Sequence, residues 1–425
     1  MNNQRLELVA DFYEYTMANG YFNKNMQDRI AYFDVFFRKV PDEGGYAIVA
    51  GLEQIINYIR NVSFDEEDIS YLRKQNKFTE EFLNYLENFR FTGDIWAIPE
   101  GTVVFPNEPL ITVKAPIIQA QLLETMLLLT TNHQSLIATK TSRIVREAQG
   151  RPVMEFGARR AHGINAAVEG ARAAIIGGAV GTSCTLSAKE FNVPASGTMA
   201  HSWIQSFESE YEAFKAYAEL YPDDCTFLID TYNTIESGLP NAIKVFNEVL
   251  KPKGYRPKAV RLDSGDLAYL SKKVRKILDE AGYEDCKICA TNSLDEYLIK
   301  SLIEQDAKID LFGVGENLIT AKSEPVFGGV YKLVALEKDK KIVPKIKVSE
   351  NTAKVTNPSF KKVYRFYDNE TKKAIADVIT LADEIIDERE YMIFDPQNPW
   401  KKKVLKDYSI RLLQEKIFEE RKINI

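Results

Sequence analysis

The sequence predicts an α/β barrel joined to a second, mixed α/β domain, with a site at the barrel mouth. Three observations carry this. First, four short apolar runs between Val153 and Asn317 stop in polar, charged or glycine-rich clusters. They are Val153-Met154-Glu155-Phe156 into Gly157-Ala158-Arg159-Arg160, and Phe227-Leu228-Ile229 into Asp230-Thr231. The others are Ala259-Val260-Arg261-Leu262 into Asp263-Ser264-Gly265-Asp266, and Ile309-Asp310-Leu311-Phe312 into Gly313-Val314-Gly315-Glu316-Asn317. Parallel strands read this way when their C-terminal ends carry chemistry. Second, helix-like stretches separate most of these runs, at intervals of roughly 30 residues, as in βα units. Third, the pattern changes on both sides of this region, which assigns 131–330 to the barrel and 1–130 with 331–425 to the second domain.

The elements follow in order. Residues 48–60, 65–74 and 79–89 carry apolar residues at helical spacing. Residues 29–40 read as a strand, with Ala31, Phe33, Val35 and Phe37 alternating, and Pro41-Asp42-Glu43-Gly44-Gly45 makes a turn. From 91 to 118, glycine and proline punctuate short β-rich runs at 102–105 and 110–114, which predicts a small antiparallel layer. Residues 119–149 are helical, as one helix or two. After Val330, residues 331–337, 341–348 and 363–367 are short alternating strands, and the tail from Asp383 is rich in Lys and Glu and exposed in pattern.

Bulk composition narrows the function classes. A chain of 425 residues, 45% apolar and 27% charged, has the profile of a globular protein with two domains. A net charge of −6 argues against a general nucleic-acid binder, while leaving room for arginines that hold a small anion. Residues 1–14 lack a signal-peptide core, and the richest apolar segments, 122–129 and 173–180, are shorter than the roughly 18 residues of a membrane span. Four cysteines fit a reducing cytosol. Cys286 and Cys289 form a CxxC inside an alternating run, which predicts a strand with one or both thiols in the core rather than zinc or redox use.

The residues fit for chemistry cluster at the run endings. His201 follows the small-residue stretch Pro194-Ala195-Ser196-Gly197-Thr198-Met199-Ala200 and precedes a helix-like segment. At such a strand-to-helix junction an imidazole serves as acid, base or nucleophile, or else merely caps the helix. His133 reads as a helix-surface or packing residue, and His162 either orients a loop or joins the site. Arg159 and Arg160 suit carboxylates and phosphates, or a solvated turn. Arg261 lies inside an apolar run, where a charge faces a ligand or pairs internally with Asp263 or Asp266. Asp230 and Asp263 suit sugar hydroxyls or a magnesium ion. Gly313 and Gly315 allow backbone N–H groups to cradle a phosphate. The third glycine of a dinucleotide fingerprint is missing, so a Rossmann reading is poor. A phosphorylated sugar fits this inventory.

These clusters resemble nicotinate phosphoribosyltransferase. The resemblance rests on Glu155-Phe156-Gly157-Ala158-Arg159-Arg160-Ala161-His162-Gly163, Gly197-Thr198-Met199-Ala200-His201-Ser202, Arg261-Leu262-Asp263-Ser264-Gly265-Asp266 and Phe312-Gly313-Val314-Gly315. Asp11-Phe12-Tyr13-Glu14-Tyr15-Thr16-Met17-Ala18 and Pro325-Val326-Phe327-Gly328-Gly329-Val330-Tyr331-Lys332 extend it over residues 8–335.

The resemblance implies an irregular type II phosphoribosyltransferase α/β barrel with a second mixed domain built from both termini. It implies a cytoplasmic homodimer with shared active sites. Nicotinate and 5-phosphoribosyl-1-pyrophosphate would give nicotinate mononucleotide in NAD biosynthesis, with Mg2+ as cofactor and ATP as co-substrate. His201 is the implied phosphohistidine. Tyr13 and Phe156 would clamp the pyridine ring, Tyr13 reaching from the partner subunit. Arg159 and Arg261 would hold carboxylate and phosphate with Thr198 nearby, and Asp230 and Asp263 would meet ribose, magnesium or pyrophosphate. Ser183, Ser264 and Gly265 would contact substrate, and Gly313, Gly315 and Glu316 the 5-phosphate. One departure stands out: Glu316 occupies a position where the family often has a hydroxyl residue, and a carboxylate beside a phosphate is unfavourable unless a metal or lysine intervenes.

Three rivals remain. A nicotinamide-using relative would carry an aspartate where Gly181-Thr182-Ser183-Cys184 offers Ser183. A quinolinate-using relative would need more cations and gives His201 no task. A non-catalytic phosphoribosyl sensor would not need the full set of reactive groups.

Overall fold

The computed structural model describes residues 6–348, 355–387, 389–396, 398–419 and 422–423. Expectations for the extreme N-terminus and parts of the tail therefore fall partly outside the described residues. The chain divides into two compact units, Met1–Ser135 with Val326–Ile425, and Leu136–Pro325. The division falls at 135/136 and 325/326, against the expected 130/131 and 330/331. Helix Glu124–Glu147 contains the first of these points. No described helix is long and apolar enough to cross a membrane.

The unit Leu136–Pro325 is built on a parallel sheet. Among the described residues, six strands take part: Val153–Glu155, Gly181–Thr182, Thr226–Leu228, Ala259–Leu262, Lys287–Ala290 and Leu311–Val314. Side by side they run second, first, sixth, fifth, fourth, third. The first strand pairs with the last, Phe312 opposite Val153, so the sheet curls into an open barrel whose free edges are its second and third strands. A single parallel bridge from Thr182 to Ala195 extends the second strand's edge. Between strands run amphipathic helices such as Leu267–Glu280, capped by Asp266, whose side chain accepts from Tyr269 N at 3.0 Å. The short apolar runs are strands rather than helices because each is only two to four residues long and buried within a parallel sheet.

Two expectations need correction here. The last run begins later than expected, at Leu311 rather than Ile309, so Gly313 and Val314 lie inside the strand instead of beyond it. The approach to His201 is not a strand. Apart from the Ala195 bridge it is irregular backbone, because glycine, proline and serine leave it no apolar face to bury.

The other unit carries a seven-stranded antiparallel sheet, counted over the described residues. Its order is Lys341–Pro344, Gly329–Lys338, Ile30–Phe37, Ile111–Pro116, Asp94–Ala97, Glu415–Glu419, Lys422–Ile423. Residues 91–118 are therefore no separate layer. Asp94–Ala97 and Ile111–Pro116 join this sheet, while Val103–Val104 pairs with Ala47–Ile48. Nearly every residue of Ile30–Phe37 is buried, including Asp34. That carboxylate is kept by a 2.8 Å pair with Lys361 and a 2.7 Å bond from the Thr112 hydroxyl, which together offset its desolvation. Lys361–Asp368 lies between Ala374–Leu381 and Tyr408–Leu412 in a second antiparallel sheet. There Arg365 grips Asp377 through two parallel bonds at 2.7 and 2.5 Å. The tail strands Glu390–Phe394 and Lys402–Lys406 are largely exposed, although Leu405 joins Phe366 and Tyr408 in a local core.

Candidate active site

The fourth barrel strand, Ala259–Leu262, ends in a connected polar network. The Arg261 side chain is 15% exposed and donates in three directions. Its Nε reaches Thr291 Oγ1 at 3.0 Å, Nη1 reaches Thr198 Oγ1 at 3.1 Å, and Nη2 reaches Asp263 Oδ1 at 3.0 Å. The open question over Arg261 is thus settled in part: it pairs with Asp263, whereas Asp266 caps the following helix. The Thr291 hydroxyl also bonds Asp263 Oδ1, and Asp263 Oδ2 lies 3.6 Å from His201 Nε2. Burial opposes ionisation of Asp263, but the Thr291 hydroxyl, the Arg261 guanidinium and His201 together hold its carboxyl below the usual carboxylate range.

Asp230, one residue beyond Ile229, is buried and braces the same loop. Its Oδ2 accepts the Asp263 N–H at 2.9 Å and the Ser264 hydroxyl at 2.5 Å, while Oδ1 is buried with no hydrogen-bond partner. Gly265 adopts φ +79°, a left-handed turn that glycine permits, and leads into the Asp266 cap. His201 is the first residue of the short helix His201–Gln205, its side chain 41% exposed. Its Nδ1 lies 3.1 Å from Thr231 Oγ1, so a hydroxyl orients the ring.

The first strand end is built differently. Glu155 is completely buried, accepting from Gly157 N–H and, at 2.6 Å, from the Thr182 hydroxyl. Burial outweighs these bonds and pushes its carboxyl above the usual range. Phe156 follows, its N–H bonded to Val314 O at 2.7 Å, and its ring covers Gly313. A Cβ on Gly313 would stand 2.6 Å from that ring and 2.8 Å from Thr291 Cγ2. The absence of a side chain at Gly313 leaves room for the Phe156 ring. Gly315 does open the short helix Glu316–Ile319.

Arg159 and Arg160 are both exposed on the turn Ala158–Arg160. Arg160 lies 3.8 Å from Glu316, and Lys322 bonds Glu316 at 2.9 Å. The conflict raised by Glu316 thus has a local answer, since Lys322 holds its carboxyl below the usual range and supplies the intervening cation. Ser183 is exposed just past the second strand, its N–H on Glu155 O at 2.9 Å. Of the other histidines, His162 is exposed and His133 sits within helix Glu124–Glu147. Cys286 and Cys289 are buried, their thiols pushed up to about 12 by desolvation.

Tyr13 belongs to the other unit, on helix Phe12–Asn23, with 43% of its surface exposed. The next residue anchors that helix. Glu14 is buried and accepts from Thr125 Oγ1, Thr125 N and Asp11 N. Burial pushes its carboxyl up to about 7 despite the Thr125 bond, and Glu124 adds to the rise.

Arg261, Asp263, Thr198, Asp230, Ser264 and His201 thus come together around one strand end. Thr291 and Thr231 belong with these residues and were missed, as were Thr182 and Glu155 at the first strand end. Thr291 directly follows the strand Lys287–Ala290, so reading past that run would have found it. Glu155 is a charge inside an apolar run, the signal that singled out Arg261.

Comparison with known proteins follows this geometry. Three family models match: the nicotinate phosphoribosyltransferase N-terminal domain over residues 8–132, the nicotinate phosphoribosyltransferase family over 152–380, and its C-terminal domain over 360–424. The chain is 46% identical over 416 residues to nicotinate phosphoribosyltransferase of Bacillus subtilis, covering 98% of this chain and 84% of that one. The crystal structure of human nicotinic acid phosphoribosyltransferase superposes with a TM-score of 0.85 at 26% identity, covering 97% of this chain and 90% of that one. Nicotinate-nucleotide pyrophosphorylase from Pyrococcus furiosus shares the fold, with a TM-score of 0.76 at 24% identity over 100% and 93% of the two chains. The barrel is accordingly that of a type II phosphoribosyltransferase, and the chain belongs to the nicotinate phosphoribosyltransferase family.

Proposed function

We propose that this enzyme joins nicotinate to 5-phosphoribosyl-1-pyrophosphate, giving nicotinate mononucleotide and pyrophosphate, and that ATP hydrolysis drives the reaction through a phosphohistidine at His201. The observation that carries the reading is the alternation of charge around one strand end: Arg261 and Asp263 paired at 3.0 Å, Asp230 beneath them and His201 at 3.6 Å. Cleaving the bond between ribose C1 and pyrophosphate leaves positive character on the ring and negative charge on the leaving group. Fixed carboxylates and a fixed guanidinium oppose both without reorganising. The pyridine nitrogen attacks C1 with its own lone pair, so no strong base is needed.

Each residue then has a task. Arg261 holds an anionic group of the substrate, and Arg159, exposed on its turn, meets another. Asp263 stays ionised beside the ribose. Phe156, seated on Gly313, offers one face to the pyridine ring, with Tyr13 of the partner subunit in a homodimer offering the other. Ser183 lacks the charge that would repel a pyridine carboxylate, while Ser264 and Gly265 shape the loop over the ribose. Gly315 opens the helix that faces the 5-phosphate, and Lys322 with Arg160 offsets Glu316 beside it. At His201 the imidazole attacks the γ-phosphorus of ATP, the bond from phosphorus to the ADP oxygen breaks, and ADP leaves. Thr231 fixes the ring for that attack.

A magnesium ion fits the carboxylate pair. Asp230 Oδ1 is buried and lacks a partner, and no cluster of three or more acidic, His or Cys side chains fit for a metal occurs among the described residues. Such an arrangement suits an ion held mostly by phosphate oxygens and water, with Asp230 and Asp263 as the protein's share. When bound, it would neutralise charge on the departing pyrophosphate.

The test is direct. Purified protein receives nicotinate, nicotinamide or quinolinate with the phosphoribosyl donor, with and without ATP. Mononucleotide from nicotinate alone, formed faster with ATP, is expected; equal rates with nicotinamide would overturn the substrate. His201→Ala should abolish ATP hydrolysis and its stimulation while leaving slow transfer, and normal hydrolysis by that variant would remove His201 from the role.

A further inference from the structure

Glu155 has no task in the chemistry above, yet it is a fully buried carboxylate at a strand end. Its two oxygens are taken by donors from two different turns. One accepts the Gly157 N–H, which opens the turn bearing Arg159. The other accepts the Thr182 hydroxyl at 2.6 Å, one residue before Ser183. Thr182 Oγ1 itself accepts the Cys184 N–H at 2.9 Å.

Backbone N–H groups only donate, and a hydroxyl has one proton. When ionised, Glu155 can only accept, so it takes the Gly157 N–H on one oxygen and the Thr182 proton on the other. There is little slack around it. A Cβ at Gly157 would stand 2.6 Å from Ile319 Cβ, and Ser183 N–H is held on Glu155 O at 2.9 Å.

We infer that Glu155 is a positioning residue: it ties the Arg159 turn to the Ser183 turn and so sets the enzyme's preference for a pyridine carboxylate over a pyridine amide. This rests on the functional reading above. Arg159 is the cation for the carboxylate and Ser183 the uncharged neighbour; strand pairing and the Ser183 N–H on Glu155 O set their turns side by side, and the two bonds to the Glu155 carboxylate fix how each turn leaves its strand. A glutamine keeps a single acceptor oxygen and adds a donor. It satisfies Gly157 and leaves the Thr182 proton without an acceptor at a fully buried position.

A double-mutant cycle tests this with Glu155→Gln, Thr182→Val and the pair, and with Thr182→Ser as the variant that keeps the hydroxyl. The expected result is a rise of about tenfold in KM for nicotinate in each single variant. Expected alongside are a little-changed kcat, an unchanged KM for the phosphoribosyl donor and a fall in nicotinate-over-nicotinamide preference. The double variant should be no worse than the worse single, and Thr182→Ser should restore selectivity. If Glu155→Gln does not fold, judged by circular dichroism, Thr182→Val against Thr182→Ser carries the same comparison. Independent, multiplying effects, or a uniform loss across kcat and both KM values, would overturn the inference, as would unchanged selectivity. A wild-type protein that neither binds nor converts nicotinate would instead overturn the functional reading, and the selectivity role with it.

Discussion

Replacing Thr291 by valine removes a hydroxyl and keeps the side chain's shape. The residue is 3% exposed, and its methyl group packs on Gly313, a contact valine preserves. What disappears is the 3.0 Å bond from Arg261 Nε and the bond to Asp263 Oδ1. Hydrogen bonds to charged groups contribute about 1.5–3 kcal/mol each. Arg261 and Asp263 keep their own 3.0 Å contact, and Arg261 keeps Thr198, so only part of the sum is lost. A fair figure is about 2–3 kcal/mol, which is about 30- to 150-fold in a rate or binding constant. The loss should appear in kcat/KM for the phosphoribosyl donor, measured at saturating nicotinate, with circular dichroism confirming a folded protein. Thr291→Ser should recover most of it. A folded Thr291→Val variant within twofold of wild type would refute the view that this hydroxyl aligns the arginine–aspartate pair.

Two further predictions concern packing and pH. Gly313→Ala should push Phe156 off its seat, costing about 1–3 kcal/mol in thermal unfolding and raising KM for nicotinate; an unchanged KM would detach Phe156 from the pyridine site. Glu108→Gln should stabilise the protein at neutral pH. Burial, and then the neighbouring Asp377, raise the Glu108 carboxyl well above its ordinary 4.5. A raised carboxyl is fully accommodated below the unfolded value and costs stability as pH climbs from there through the folded one. The gain in melting temperature from Glu108→Gln should therefore be larger at pH 8 than at pH 5, and a gain that shrinks with rising pH would refute the assignment.

The sequence made the strand ends legible because a buried parallel strand must be apolar and its exit must turn. Ala259–Leu262 falls where that logic puts it, and Arg261 stands out as a charge among apolar neighbours. The last strand continues through Gly313 and Val314, past where its apolar run was expected to end, because Gly313 looks like a loop residue and only the ring above it explains a glycine inside a strand. The threonines are less legible for another reason. Thr182, Thr231 and Thr291 are ordinary residues at or just past a strand end. Their meaning lies in partners 27, 30 and 30 residues distant, for which no local pattern exists. The Asp34–Lys361 pair, closing over more than three hundred positions, is beyond local reading altogether.

The antiparallel sheet also has a consequence for how the chain is made. Its interior strand Ile30–Phe37 has one neighbour at Ile111–Pro116 and the other at Gly329–Lys338. At about 5–20 residues per second, the roughly 200 residues between these neighbours take about 10–40 s to synthesise. Throughout that interval an apolar strand emerges with one edge unmatched, which is the condition that favours aggregation on the ribosome. The parallel barrel, encoded in the intervening stretch, can be completed first. A message truncated before codon 329 would yield a chain with that edge permanently open.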